Sequence, residues 1–300
     1  MTENKRTPEA ASLRTFFNEQ MRHLHDLLEH VIAADSEPVA DEELQVVEDF
    51  VDAANKKLRV VQGYAEKLRS HVCLLHRHVL DVAAQIPPPI ELTPTALQAE
   101  PLINALFVER RDIDQLFHAH GEVKSYVRQH NGFQVPVIYA LLTASKTEKS
   151  ILGVGMLGDL LVRDLPQQTI NFHSHQLHAP SADSDGLVAG INSFLFQRVV
   201  MLIQQGLAAR MAVETNWPRD KTYQARVNSL TNPEIYLHEL MTQLENPEQL
   251  LRIEKNHLLL NKLGIKINPN DDQCRNEFDI HEIIWSDQSR HIVLKIAYLR

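Results

Sequence analysis

Basic charge, cysteine, glycine and long apolar runs are all scarce in this chain, and each shortage excludes something. Lys and Arg number 30 against 39 Asp and Glu, a net charge of -9. No broad basic face is left to neutralise a phosphate backbone, so no extended nucleic-acid surface is expected. Cys73 and Cys274 are the only cysteines. They supply neither a disulfide framework nor a thiolate zinc motif, and they suit a reducing, cytoplasmic setting. No stretch of eighteen apolar residues occurs, and Met1 to Ala11 is polar, so neither a membrane span nor a signal peptide is expected. With 10 glycines in 300 residues the chain favours helix.

What is abundant is apolar periodicity. The composition, 44% hydrophobic and 23% charged, is that of an ordinary globular chain with room for two domains. Leu44, Val47, Val51, Ala54, Leu58, Val61, Ala65, Leu68, Val72, Leu75, Val79, Val82 and Ile86 recur at alternating steps of three and four. This a/d spacing predicts one uninterrupted helix over about 44–86, roughly 65 Å long at 1.5 Å per residue. Gly63 falls on an outer position, where it costs about 1 kcal/mol against Ala without breaking the row. Pro87 to Pro89 stop the helix. The interaction seam is expected at Leu58, Val61, Leu68, Val72, Leu75 and Val79, with His71, His76 and His78 as its polar edges. A first helix from Ala10 to Ala34 and a third from Pro101 to Asn131-Gly132 complete the picture. Residues 1–9 read as a disordered tail, and 10–132 as an elongated antiparallel helical bundle with a coiled-coil arm.

The pattern changes at Phe133. Val135 to Ala144 is β-branched and apolar, Gln167 to Leu177 alternates with Ile170 and Phe172 inward, and Ser150 to Val162 fits either a strand or a short helix. Lys146 to Lys149 reads as a solvated turn. A strongly amphipathic helix is expected over 186–213, carrying Leu187, Ile191, Leu195, Val199 and Leu202. Asn232-Pro233-Glu234 and Asn246-Pro247-Glu248 mark two further helix starts, the second helix ending at Gly264. Glu277 to Trp285 and Arg290 to Leu299 form a hairpin. Residues 133–300 thus read as an α+β domain with a small antiparallel or mixed sheet. The whole chain reads as α+β, predominantly helical.

Two motifs carry possible chemistry. His173-x-His175-x-x-His178, followed by Asp183 and Asp185, puts two imidazoles two residues apart on a strand, where they share a face. That set suits zinc or another divalent transition metal; the plainer alternative is a solvated strand face. Gly153-x-Gly155-x-x-Gly158 matches a dinucleotide fingerprint by letters. It lacks the helix and the later acid that the mechanism needs, so it reads as close packing or a bulge. His120, on a seam position of the third helix, reads as a hydrogen-bonded core histidine. No Gly-x-Ser-x-Gly elbow is present.

The expected function is that of a non-enzymatic cytoplasmic interaction, scaffold or accessory protein. It would bind a protein partner or itself, as in a homodimer, through the helical arm, without a cofactor. The competing expectation is a metal-binding protein or metal-dependent hydrolase centred on His173, His175 and His178. A third is a DNA-associated or phage-defence accessory protein, by analogy with proteins that pair coiled coils with small α+β domains.

Overall fold

The computed structural model describes residues 40–93, 95–130, 136–157, 160–215, 233–261, 263–267 and 275–299. The helix expected over Ala10–Ala34, Trp217-Pro218 and Cys274 lie outside the described residues. The chain divides into two compact units. One holds the described residues up to Asp81 with Asn192–Leu251; the other holds Val82–Ile191 with Arg252 onward.

In the first unit the expected long helix is two helices. α1 spans Ala40–Ala54, a 3-10 turn covers Lys56–Val60, and α2 spans Tyr64–Ala84. The reversal is built from local chemistry. Asn55 caps the 3-10 turn, its side-chain oxygen accepting from the Lys57 N–H at 3.0 Å. Gly63 takes φ +68, a left-handed conformation that favours glycine. Arg59 then reaches back to α1, with Nη2 2.8 Å from Glu48 and Nη1 2.7 Å from Asp52. Tyr64 bonds Glu48, and Arg69 bonds Glu43. The α2 partner moves forward as the α1 partner moves back, so α2 folds antiparallel along α1. The heptad row is real, but it is shared by two helices facing one core. Phe50 packs edge-on against Phe196 at 6.1 Å on α7 (Ser184–Thr215), and Gln204 donates to the Ala54 carbonyl at 2.9 Å. α8 (Pro233–Leu244) adds Leu237, Leu240 and Leu244 to the buried set.

The second Asn-Pro-Glu start yields only α9, Pro247–Leu250. The Leu-rich run that follows is not a helix ending at Gly264; it is strand β4, Leu251–Asn261.

The second unit is dominated by a sheet. Its strands are β1 (Ile90–Glu91), β2 (Val137–Leu157), β3 (Leu160–Ser181), β4, β5 (Arg275–Trp285) and β6 (Arg290–Leu299), in the order β3-β2-β6-β5-β4, with β1 parallel on β6. The hairpin expected over 277–299 is present as β5 and β6. The expectation of a helical bundle followed by a small sheet is overturned. The sheet is a curled half-barrel of six strands, and no long coiled coil is evident. Residues 101–130 do not form one long helix either, and Asn131-Gly132 lie outside the described residues. Residues 101–130 give the short helices α4 (Pro101–Leu106), α5 (Arg110–Ala119) and α6 (Gly121–Gln129), after α3 (Ala96–Ala99). A Glu109/Asp112 capping box starts α5, which is why the pattern breaks there. Ile103, Leu106, Ile113, Phe117 and Val123 of these helices share one core with Ile138, Leu142, Phe172, Ile280, Leu294 and Tyr298 of the strands. Phe117 stacks on Tyr298 at 4.2 Å, and the Tyr298 hydroxyl donates to Asp114 at 2.9 Å.

A turn bridges the opening of the half-barrel. Residues 264–267 fold back on β4 and pair with β3: Thr169 bridges Ile265, the Ile170 N–H donates to the Gly264 carbonyl at 2.8 Å, and the Lys266 N–H donates to the Gln168 carbonyl at 2.8 Å. Gly264 is required here. Its φ is +74, and a Cβ would lie 2.8 Å from the Ile170 carbonyl oxygen. Lys146 to Lys149 are not a turn but the middle of β2. Lys146 Nζ sits 3.0 Å from Glu282, which is 1% exposed and also accepts from Asn256 at 2.6 Å.

Among the described residues one stretch, Ser184–Leu207, has the length and mean hydropathy of a membrane span, and half of it is buried inside the chain. The core helices of folded proteins pass the same test.

Candidate functional site

β2 and β3 form a long antiparallel hairpin, and three register shifts shape it. They fall between Tyr139 and Leu141, Thr143 and Ser145, and Gly153 and Gly155 of β2. At each, β3 carries one extra residue with positive φ: Ala179 at 52°, Ser174 at 55° and Asp164 at 61°. These are β-bulges, and each reverses the side-chain alternation that follows it.

The bulge at Ser174 decides the fate of the histidine motif. It brings His175 and Leu177 onto the face of Ile170 and Phe172; Leu177, Ile170 and Phe172 share the core. His173 stays on the other face, exposed, 2.7 Å from Thr147 Oγ1. His178 pairs across from Leu141, with Nε2 3.2 Å from Thr143 Oγ1 and Nδ1 4.0 Å from Glu122. The three imidazoles expected to share a metal are thus dealt to three different surroundings. Asp183 caps α7, accepting from the Gly186 N–H at 2.7 Å. Among the described residues, no three His, Cys, Asp or Glu side chains are gathered to hold an ion. His120 bonds the edge of β3, its Nε2 accepting from the Leu177 N–H at 3.3 Å.

His175 instead lines a cavity of about 510 Å³. Phe107, Leu116 and Phe172 supply apolar wall, and Asp112, Gln115 and His175 supply polar groups. The imidazole stacks on Phe107 at 4.9 Å and 29°. Its Nε2 is buried and has no hydrogen-bond partner. Burial, then the neighbouring His173, push its pKa below the ordinary value, against the pull of Asp112 and a backbone bond to Leu106. Phe107, the extended cap after α4, and Asp112 and Gln115 on α5 escape sequence reasoning because they lie far along the chain from Phe172.

A second feature lies at the far end of the hairpin. β6 pairs with β2 only as far as Ala144–Ile292, and the 264–267 turn reaches β3 only at residues 168–170. Beyond Ser150 and Gln167 the two strands pair, among the described residues, only with each other, out to Leu157–Leu160. At about 3.4 Å per residue this arm is some 25 Å long. Ile151 is 40% exposed, Leu152 69%, Val154 56% and Leu160 71%. Ile151 points to one face and Leu152 and Val154 to the other, so both faces offer apolar surface. The run of apolar residues and glycines over 151–165 was a usable signal for such a tip. Gly153 and Gly155 lie inside β2, and the described residues that follow directly belong to β3 and not to a helix, so the dinucleotide context is missing. A Cβ on Gly153 would collide with Gln167 at 2.1 Å, whose amide donates to the Val154 carbonyl at 3.1 Å.

The expected seam is not on offer to a partner. Leu58, Leu68, Val72, Leu75 and Val79 are 0% exposed and Val61 4%. His76 packs edge-on against Phe196 at 6.1 Å, and burial lowers its pKa to about 4. His78 Nε2 lies 2.7 Å from the Leu251 carbonyl.

No known protein family, curated protein or solved structure matches this chain.

Proposed function

We propose that the chain is a non-enzymatic interaction protein that self-associates through the β2–β3 arm, two copies pairing arm to arm. The observation that carries this is the exposure of Leu152, Val154 and Leu160, at 69%, 56% and 71%, on a ribbon with no strand on either edge among the described residues. Two-stranded ribbons are marginal alone, and open edges with apolar side chains invite strand pairing. The exposed charges on the arm are of both signs, Arg163 against Asp164. It therefore selects neither an anionic surface nor a strongly charged partner, and it is self-complementary, as a two-fold interface requires.

Light scattering across the micromolar range tests the reading. The full chain is expected at twice its 34.3 kDa mass. A Leu152→Asp/Val154→Asp variant is expected at the mass of one chain, with its circular dichroism unchanged. A wild-type chain that stays monomeric, or a dimer that survives both substitutions, overturns the proposal.

A further inference from the structure

We infer that two copies join through the free edge of β2 and not that of β3. The partner is the same stretch of a second copy, laid antiparallel around Leu152, so that one continuous sheet runs β3-β2-β2-β3 across the pair. This rests on the reading of the arm as the contact between copies, and it names which of the arm's two edges makes that contact.

The backbone directions follow from printed bonds of the fold. In a strand, the N–H and C=O of one residue point to one edge, and those of the next residue to the other. On β3 the Gln168 carbonyl accepts from the Lys266 N–H and the Ile170 N–H donates to the Gly264 carbonyl, both at 2.8 Å. Residues 168 and 170 therefore point away from β2. The register is unbroken from Ser150–Gln168 through Ile151–Gln167 to Leu152–Pro166. Pro166 thus points away from β2 as well, and Ser150 and Leu152 point away from β3.

The two edges differ in how they are defended. On β3, Pro166 puts a ring where a donor would be. Asp164 bulges the strand at φ 61°, and the 264–267 turn occupies residues 168–170. Proline, a bulge and a covering segment are the ways in which proteins close an edge to pairing. On β2, residues 145–157 include no proline, and none of them has a positive φ. β6 leaves β2 after Ala144. Nearer the root, Lys146 and Glu148 are engaged within the chain, 3.0 Å from Glu282 and 2.8 Å from Lys266. Beyond Lys149 the described part of β2 carries no charge. An uncharged edge with free backbone groups at Ser150 and Leu152 matches a copy of itself run in the opposite direction. The pairing also sets the exposed Leu152 side chains of both copies on one face of the joint sheet. With the β3 edge closed, association stops at two.

Residue-resolved hydrogen exchange on the full chain tests the edge, with light scattering on the same samples. At a chain concentration about ten times the dissociation constant, the Ser150 and Leu152 amides should exchange about ten-fold more slowly than in dilute protein. Leu152→Pro removes a donor that β3 does not use and should bring the mass down to that of one chain. Pro166→Ala returns a donor to the β3 edge and should leave the dimer mass as it is. A wild-type chain that stays monomeric overturns the arm contact and this inference together. A dimer whose Ser150 and Leu152 amides gain no protection, or one that survives Leu152→Pro, keeps the arm contact and overturns the β2 edge. If Leu152→Pro loses the hairpin, seen as lost strand signal in circular dichroism, the wild-type amides decide alone.

Discussion

Two long apolar patterns run through this chain, the helical row over 44–86 and the hairpin over 137–167, and they end in opposite situations. The helical row is consumed at home. Its residues are 0–4% exposed at the six seam positions because the chain turns at Asn55 and Gly63 and folds the second half of the row onto the first. The hairpin begins in the core, with Ile138, Ala140 and Leu142 at 0–1% exposure, and ends with Leu152 at 69%. A periodic pattern specifies an element and its apolar face. It does not say who covers that face, and the apolar surface left exposed is the one the fold runs past.

The comparison breaks most sharply on a charge placed in each pattern. Leu68→Asp puts an unpaired carboxylate at a fully buried position and is expected to cost about 5 kcal/mol, enough to unfold a domain of ordinary stability. Urea denaturation followed by circular dichroism would show it. Acid gives the next largest effect on the helical side. His76 has a folded pKa of about 4 against an ordinary 6.5, so the unfolded chain takes up a proton first as pH falls. Its stabilising contribution is complete above pH 6.5 and is lost as pH drops towards 4, a total of about 3 kcal/mol. Chemical denaturation at stepped pH should show this slope, and His76→Leu should remove it.

The two glycines at the turning points separate the regions further. Gly63→Ala meets a positive φ in open space and should cost about 1 kcal/mol. Gly264→Ala meets a positive φ and the Ile170 carbonyl at 2.8 Å and should cost about 2 kcal/mol. Paired thermal melts would rank them; equal losses would mean that the 264–267 turn is not held against β3 as described.

Much of the strand content was legible. The alternation at Gln167–Leu177, the β-branched run from Val137 to Ala144 and the closing hairpin all appear as strands. The helix over 186–213 is present as α7 and the helix after Asn232 as α8, although α7 is apolar around much of its surface and not the amphipathic helix expected. What escaped has identifiable causes. Gly63 and Asn55 were outweighed by an unbroken heptad row, although Asn can cap and Gly can take the left-handed turn. The Asn246 start promised a helix, but Leu258 and Leu260 bury in the sheet core instead, tertiary packing overriding local preference. Ser174 carries no sign in its residue type that it will sit at φ 55°. Without that bulge His173 and His175 share a face, and with it they part, so the metal expectation rested on a parity the chain does not keep.

The smallest effect is expected on the arm itself. Leu152 is 69% exposed in the single chain, so Leu152→Asp should change stability by no more than about 0.5 kcal/mol. Hydrogen exchange sharpens the contrast with the root of the same strands. Amides of 137–144 lie between β3 and β6 and should exchange only through global unfolding. Those of 150–157 have β3 alone and should exchange by local opening in dilute protein. Self-pairing makes a specific demand on the second set: their protection must rise with protein concentration, while that of the first set does not. Arm protection that is already high and independent of concentration would mean that the ribbon is stable by itself. The exposed leucines would then be a feature of the monomer, not the contact between copies.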